Sequence, residues 1–251
     1  MADRIVSLAP SATVTIHALD AADRLIGDTG DTASSPFGGW LTPDIEAVSE
    51  LDPDLVITTD PLQAPIASSL RGHHVPCAHF EPATLEDMFQ YIKDIAALVE
   101  KADTGETLVA SLHDRIKEVQ SAVSGKDRPV VYCEEWQTPP MVAGNWVPDV
   151  ITCAGGRYPF IKPGNRSRKV TQSEVEAHDP EHVFLHICGF HGDVSPESMR
   201  SRGWELAALS NDNVTVLDDS VLNQPSPRLV DGIEQIASIV HPDAVDWVKD
   251  E

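Results

Sequence analysis

The chain has 251 residues, 18 Lys and Arg against 40 Asp and Glu, and a formal net charge of −22. So acidic a surface repels phosphate, which argues against a nucleic-acid or anionic-membrane partner. Hydrophobic residues make up 41% and recur in periodic runs, which excludes a disordered acidic protein and suffices for a sizeable core.

Arg4–Leu8 reads as a strand, and Ser11 or Thr13 as the cap of a helix reaching about Leu19. Arg24–Gly27 is a second short strand. Thr29–Gly39, rich in Gly, Ser, Asp and Thr, is loop. Thr42-Pro43-Asp44 caps a helix through Ser49, with Pro43 in its first turn. Asp54–Thr59 is a buried strand, Ser68–Arg71 ends a helix, and Val75–Phe80 is a further strand. This alternation with short links predicts a mainly parallel sheet.

Strand signal then stops until Ser124. Thr84–Val99 carries Met88, Ile92, Ile95 and Leu98 at helical spacing, with Glu86 and Asp87 in the dipole-favoured first turn. After Asp103-Thr104-Gly105 a second helix runs to about Val123 on Leu108, Leu112, Ile116 and Val119, and Gly125 stops it. The alternation resumes with a strand at Pro129–Glu134, a helix at Pro148–Ala154 and a basic, polar loop at Lys162–Lys169. A short helix at Glu174–Ala177, strands at His182–Cys188 and Val214–Leu217, and an amphipathic helix at Arg228–Val240 complete the chain.

The expected architecture is α/β. Two mainly parallel-sheet lobes, residues 1–102 and 128–251, are joined by a long rigid helix at 103–127, with a ligand cleft between the lobes. An internal echo supports the two lobes: EAVSELDPDLVITT in the first half matches SEVEAHDPEHVFLHI in the second. Each is a helix, an Asp-Pro turn and a buried strand.

The 24 Asp outnumber the 16 Glu, the 11 Arg outnumber the 7 Lys, and the acids are spread along the chain. Low Lys with high Asp points to a halophilic surface, where salt screens repulsion; an ordinary acidic cytosolic protein is the other reading. Cys77, Cys133, Cys153 and Cys188 form no CxxC pair and read as buried small hydrophobes. No run approaches 18 apolar residues, so no membrane span is expected. The start, Met1-Ala2-Asp3-Arg4, shows no basic n-region, apolar h-region or lipid-anchor cysteine. A native start there would mean a cytoplasmic protein; a removed signal would mean an extracytoplasmic one.

The helix–Asp-Pro–strand unit in each half, with RIVSLAPSAT, TPDIEAVSELDPDLVITT, EEWQTPPMVAGNWVPDVITCAGG, HICGF and SPRLVDGIEQIASIVHP in this order, resembles a known family. It is that of the cobalamin, haem and iron-siderophore substrate-binding proteins, the helical-backbone, class III periplasmic-binding-protein type. The likeness runs nearly end to end and is nearest a cobalamin-binding subgroup that often lacks an export signal.

The resemblance implies non-enzymatic, non-covalent binding of a corrinoid such as cobalamin, or of haem or a ferric chelate, by a monomer. It also implies delivery to an ABC permease. Glu46 matches one permease-docking position; at the other Ser173 stands, with Glu174 adjacent. Thr59 and Met141 replace aromatic ligand positions of exported relatives.

Ligands of open α/β sheets sit at the carboxyl ends of strands. Candidate contacts are therefore Pro10, Ser11, Thr59, Glu135, Trp136, Gly189 and Phe190; the resemblance adds Asn223 and Arg228, since it implies that the last loop and the start of the final helix lie at the cleft. The resemblance implies that Trp40, in a polar loop, stacks on a ligand ring; the other reading is that it anchors its loop. Of Trp136 and Trp146, at least one is expected to face the cleft. Glu135 reads equally as a ligand contact or a solvated acid, and Arg228 as a contact or a structural pair. Ser167 and Arg168, with Arg166 and Lys169, form a basic cluster that suits a phosphate or carboxylate or is simply solvated.

His186, Cys188 and His191 form an H-x-C-x-x-H run, with His186 and Cys188 on one strand face. No fourth ligand completes a closed metal site, but His191 alone suits an axial ligand of a bound chelate. An alternative of another class is a cytosolic tetrapyrrole metal chelatase using a His opposite a Glu or Asp. No GxSxG, Walker or HExxH motif is present.

Overall fold

The computed structural model describes residues 2–29, 37–189 and 194–245. The chain divides into two compact units. Unit 1 is Met1–Pro82 with Glu86–Ser111, and unit 2 is Ala83–Leu85 with Leu112–Glu251.

Unit 1 begins with β1 (Ile5–Ser7), α1 (Pro10–Ala18) and β2 (Leu25–Asp28). A two-stranded antiparallel hairpin follows, β3 (Gly38–Gly39) with β4 (Thr42–Pro43). Next come α2 (Ile45–Glu50), β5 (Leu55–Thr59), α3 (Ala64–Gly72), β6 (Cys77–Phe80) and α4 (Leu85–Leu98). The sheet runs in the order β2-β1-β5-β6, and every pair is parallel.

Strand alternation sorts the core into two layers. Ile5, Leu55 and Ile57 pack with Ile16, Leu19, Tyr91, Ile95 and Val99 from α1, α4 and their ends. Val6 and Val56 point the other way and pack with Val48 of α2 and Leu70 of α3. Burying strands on both faces is what lets a parallel sheet read as an unbroken apolar run, as in LVITT.

Helix α5 (Ala102–Ala122) spans the boundary: its residues up to Ser111 group with unit 1 and those from Leu112 with unit 2. It starts at Ala102, whereas the sequence placed its start after Asp103-Thr104-Gly105. Gly105 lies inside the helix, and a Cβ there would come 2.4 Å from Ala96 Cβ of α4. The glycine is a packing contact and not a boundary.

Unit 2 contains β7 (Val131–Gln137), β8 (Pro140–Val142), α6 (Val147–Cys153), β9 (Arg168–Lys169), α7 (Gln172–His178) and β10 (His182–Leu185). The short helices α8 (Glu197–Arg200) and α9 (Ala207–Ser210), β11 (Val214–Val216) and α10 (Arg228–Val240) follow. The sheet order is β11-β10-β7-β8-β9. The pairs among β11, β10 and β7 are parallel, whereas β8 and β9 add antiparallel. Tyr132, Val183 and Leu185 pack on one face with Val142, Phe160, Val175, Met199 and Leu206.

The α/β architecture with largely parallel sheets stands, and several local expectations are corrected. Ala9 precedes α1 with Pro10 in its first turn, and neither Ser11 nor Thr13 caps it. Asp44, not Thr42, caps α2: its carboxylate accepts from the Glu46 and Ala47 N–H groups at 3.1 and 3.0 Å. Pro43 is a hairpin residue. Gly38–Gly39 and Arg168–Lys169 lie in strands and not in loops. These strands of two or three residues carry no period of their own; cross-strand pairing defines them.

Strand β10 ends at Leu185, so His186 and Cys188 do not share a strand face. Cys133 is buried, Cys77 and Cys153 are half-buried, and Cys188 is exposed, against the expectation that all four are interior. Among the described residues no helix is long and apolar enough to cross a membrane.

Candidate functional site

The carboxyl ends of the parallel strands carry most of the residues singled out from sequence. In unit 1 the ends of β1 and β5 meet a buried polar network. Tyr91, on the apolar face of α4, places its hydroxyl 2.8 Å from Thr59 Oγ1 and 3.3 Å from Ser11 Oγ. Burial raises the Tyr91 phenol to about 12, opposed by these two hydrogen bonds. Thr59 and Ser11 are buried, so their hydroxyls are engaged inside the unit. Pro10 is half-buried.

Beyond Thr59 the backbone turns sharply at Asp60, which holds φ 77° and whose carboxylate accepts from Leu62 N–H at 2.7 Å. The turn brings Gln63 back beneath the strand ends. Its Oε1 accepts from Thr59 N–H at 2.7 Å, and its Nε2 donates to Leu8 O at 2.7 Å and to Trp40 O at 2.6 Å. Trp40 is half-buried, while its neighbour Leu41 and Leu62 are exposed. Glu46 is exposed in the first turn of α2.

Unit 2 places charge where unit 1 places neutral groups. Glu134 on β7 is fully buried. Arg202 forks onto it at 2.6 and 2.7 Å, and the Tyr132 hydroxyl donates to it at 2.9 Å. The Arg202 guanidinium lies 5.4 Å from the Trp204 ring centre. A buried carboxylate needs such a bidentate partner, because alone it would lose its hydration uncompensated.

Further along β7 the chain emerges. Glu135 is half-buried and Trp136 is 41% exposed, with its Nε1–H donating to Thr138 O at 3.0 Å. Met141 on β8 is its cross-strand partner. Trp146 is buried instead, donating through Nε1 to Leu222 O at 2.7 Å. Of the two tryptophans, Trp136 is the one presented to solvent.

The basic cluster is largely committed. Ser167 Oγ accepts from Gly144 N–H at 2.9 Å. The backbone approaches closely here, since a Cβ on Gly144 would meet Asn165 O at 2.3 Å. Arg168 forks onto Glu174 and donates to Phe160 O at 2.8 Å. That contact holds the Glu174 carboxyl below its ordinary range. Arg166 and Lys169 remain exposed.

At the end of β10, His186 is fully buried. Asn223 donates through Nδ2 to His186 O at 2.9 Å, so its Oδ1 is the atom facing His186 Nδ1. Nδ1 therefore carries the proton and Nε2 a lone pair, which has no partner. Burial pushes the His186 pKa down to about 4. Gly189, at φ 75°, donates its N–H to the Asp219 carboxylate at 3.0 Å. Arg228 opens α10 with its N–H on Ser226 Oγ at 3.3 Å, and its guanidinium lies 3.9 Å from Asp231. Phe190 and His191 lie outside the described residues. Among the described residues no three His, Cys, Asp or Glu side chains group to hold a metal ion.

Sequence reasoning missed Gln63, Tyr91 and the Glu134–Arg202 pair. Tyr91 had a signal: a phenol on the Met88–Ile92–Ile95 face must find a buried partner. Arg202 had none, since it lies 68 residues from Glu134.

The large hydrophobics exposed among the described residues are Leu41, Leu62, Trp136 and Val216. Leu62 follows β5, and Trp136 and Val216 lie at the ends of β7 and β11. Leu41 adjoins Trp40, which Gln63 ties to the end of β1. Each unit thus carries apolar side chains on the strand-end rim where open α/β sheets bind ligands.

The sequence matches the family described as "Periplasmic binding protein" over residues 5–221, and the chain belongs to that family. A vitamin B12-binding protein of Vibrio cholerae is 24% identical, covering 94% of this chain and 88% of its own length. A cobalamin-binding protein of Halobacterium salinarum is 23% identical, covering 95% of this chain and 69% of its own.

Solved structures share the fold. The periplasmic vitamin B12 binding protein of Vibrio cholerae superposes with a TM-score of 0.76 at 22% identity, over 95% of this chain and 96% of that one. A periplasmic heme-binding protein from Roseiflexus gives 0.79 at 21%, over 97% and 100%. An ABC transporter substrate-binding protein from Listeria monocytogenes gives 0.80 at 19%, over 97% and 100%.

Proposed function

We propose that the chain is a non-enzymatic substrate-binding protein for cobalamin or a related corrinoid, serving an ABC-type uptake system. The observation that carries this reading is the rim. In a chain of net charge −22, the exposed large hydrophobics among the described residues gather at strand ends. A flat, largely uncharged ring system suits apolar and aromatic side chains there. Relatives named for vitamin B12 and cobalamin, matched over nearly the whole chain, favour a corrinoid.

Trp40 and Trp136 supply the ring contacts in this reading, with Met141, Leu41 and Leu62 beside them. Glu135, Asn223 and Arg228 supply polar contacts to the ligand periphery. Ser11 and Thr59 support the rim from below through Tyr91. Glu46 is the proposed permease-docking carboxylate, and Glu174 enters that role as half of an ion pair with Arg168. The acid excess is an adaptation to concentrated salt, which screens the self-repulsion of the carboxylates.

Calorimetric titration at high salt with cyanocobalamin, haem and a ferric siderophore tests the reading. Cyanocobalamin is expected to bind, and Trp40→Ala and Trp136→Ala each to weaken it by about tenfold. Haem binding without cyanocobalamin binding transfers the proposal to haem, the ligand named for the Roseiflexus neighbour. Conversion of a metal-free tetrapyrrole to its metal complex would replace binding by chelatase chemistry.

A further inference from the structure

The amide of Gln63 is fully buried, and it joins three segments that are distant in sequence. It receives Thr59 N–H at the end of β5, and it donates to Leu8 O at the end of β1 and to Trp40 O in the hairpin loop. Both of its donors and its acceptor are engaged, at 2.6–2.7 Å. No other side chain type has this donor and acceptor set at this length, because a carboxylate only accepts and an alkyl chain does neither.

Two features show that the amide is aimed and not merely accommodated. The Asp60 backbone sits at φ 77°, which is costly for a residue with a Cβ, and it lies three residues before Gln63. The Asp60 carboxylate and carbonyl then hold the following turn, accepting from Leu62 N–H at 2.7 Å and from Gln63 N–H at 2.9 Å. Strain at the strand end is therefore coupled to the reversal that points Gln63 at the Trp40 carbonyl. The hairpin carrying Trp40 is only two residues per strand, and it needs an external tie to hold a fixed place.

We propose that Gln63 is a positioning residue for ligand binding: it fixes the Trp40 loop on the strand-end rim of unit 1 and acts on the ligand only through Trp40. The proposal rests on Trp40 being a ligand contact, as in the function proposed above. Preorganisation is the physical gain, since a loop tied before binding loses less freedom when the ligand arrives.

The test is a double-mutant cycle on the full chain at high salt, with cyanocobalamin as the probe. Gln63→Glu keeps the length and the acceptor for Thr59 N–H but removes both donors. It is expected to weaken binding by about tenfold. In a Trp40→Ala background the same change is expected to cost less than about twofold, because there is no indole left to position. Multiplicative losses in the double variant, or full affinity in Gln63→Glu alone, overturn the proposal. Thermal unfolding of each variant checks that it is folded; Gln63→Met, which keeps the length and removes both donors without adding charge, serves if Gln63→Glu is not.

A second readout needs no ligand. Acrylamide quenching of Trp40, isolated as the difference between the parent and its Trp40→Phe variant, should rise in Gln63→Glu and Gln63→Met. Unchanged quenching overturns the tie whether or not cyanocobalamin binds. Failure of the corrinoid reading shows instead as an absence of binding by the parent chain.

Discussion

Units 1 and 2 solve the same problem with different chemistry. Each ends buried parallel strands in polar groups that are largely hydrogen-bonded. Unit 1 uses neutral groups: the Tyr91, Thr59 and Ser11 hydroxyls and the Gln63 amide. Unit 2 uses a buried carboxylate clamped by Arg202, and a buried imidazole held by Asn223. The difference teaches where each unit is vulnerable. A neutral network loses single hydrogen bonds, each worth about 1 kcal/mol net, whereas a broken buried ion pair strands a charge.

The largest effect should therefore come from unit 2. Arg202→Met leaves Glu134 buried without its counter-ion and is expected to cost about 3–5 kcal/mol. Ser11→Ala in unit 1 should cost about 1 kcal/mol. Denaturant unfolding of the two variants measures both, and equal losses would break the contrast.

Acid should separate the units next. His186 titrates near 6.5 in the unfolded chain and near 4 when folded. Its contribution is fully present above about pH 6.5 and is lost as pH falls through 4, because the unfolded state binds the proton first. Burial of the neutral ring thus costs the fold about 3 kcal/mol at pH 4 relative to pH 7. The shifts of His182, Glu174, Glu176 and Asp114 also lie in unit 2. Hydrogen exchange between pH 7 and 4 should show strands β7 and β10 losing protection before β1 and β5. His186→Gln should remove part of that acid dependence, and an unchanged pH profile would count against the buried imidazole as its source.

The smallest expected effect is at the surface. Arg168 and Glu174 are 42% and 33% exposed, so Glu174→Ala should change stability by at most about 1 kcal/mol, and less at high salt. A larger loss would move this pair into the class of the Glu134–Arg202 clamp and blur the contrast between core and rim charges.

The periodic elements were legible in the sequence. Helix α10 spans Arg228–Val240 as its amphipathic pattern predicts, and β5 lies within the apolar run Asp54–Thr59. Trp40 was legible as a site candidate because a large aromatic in a polar loop has no local core to fill. Strands β3, β8 and β9 were not, since two or three residues show no period. The H-x-C-x-x-H run misled for a related reason. Its spacing suggested a shared strand face, but β10 ends at Leu185, before either His186 or Cys188.

What the sequence alone determined was the alternation of apolar helix and strand, the repeated helix–Asp-Pro–strand unit, and hence an α/β fold of two sheets. Those features are local, and the strand and helix periods express them directly. What only the tertiary structure decided was which polar groups meet. Gln63 reaches Leu8 across 55 residues, Arg202 reaches Glu134 across 68, and Asn223 reaches His186 across 37. A hydrogen bond is specified by where two chain segments lie in space, and sequence separation carries no record of that.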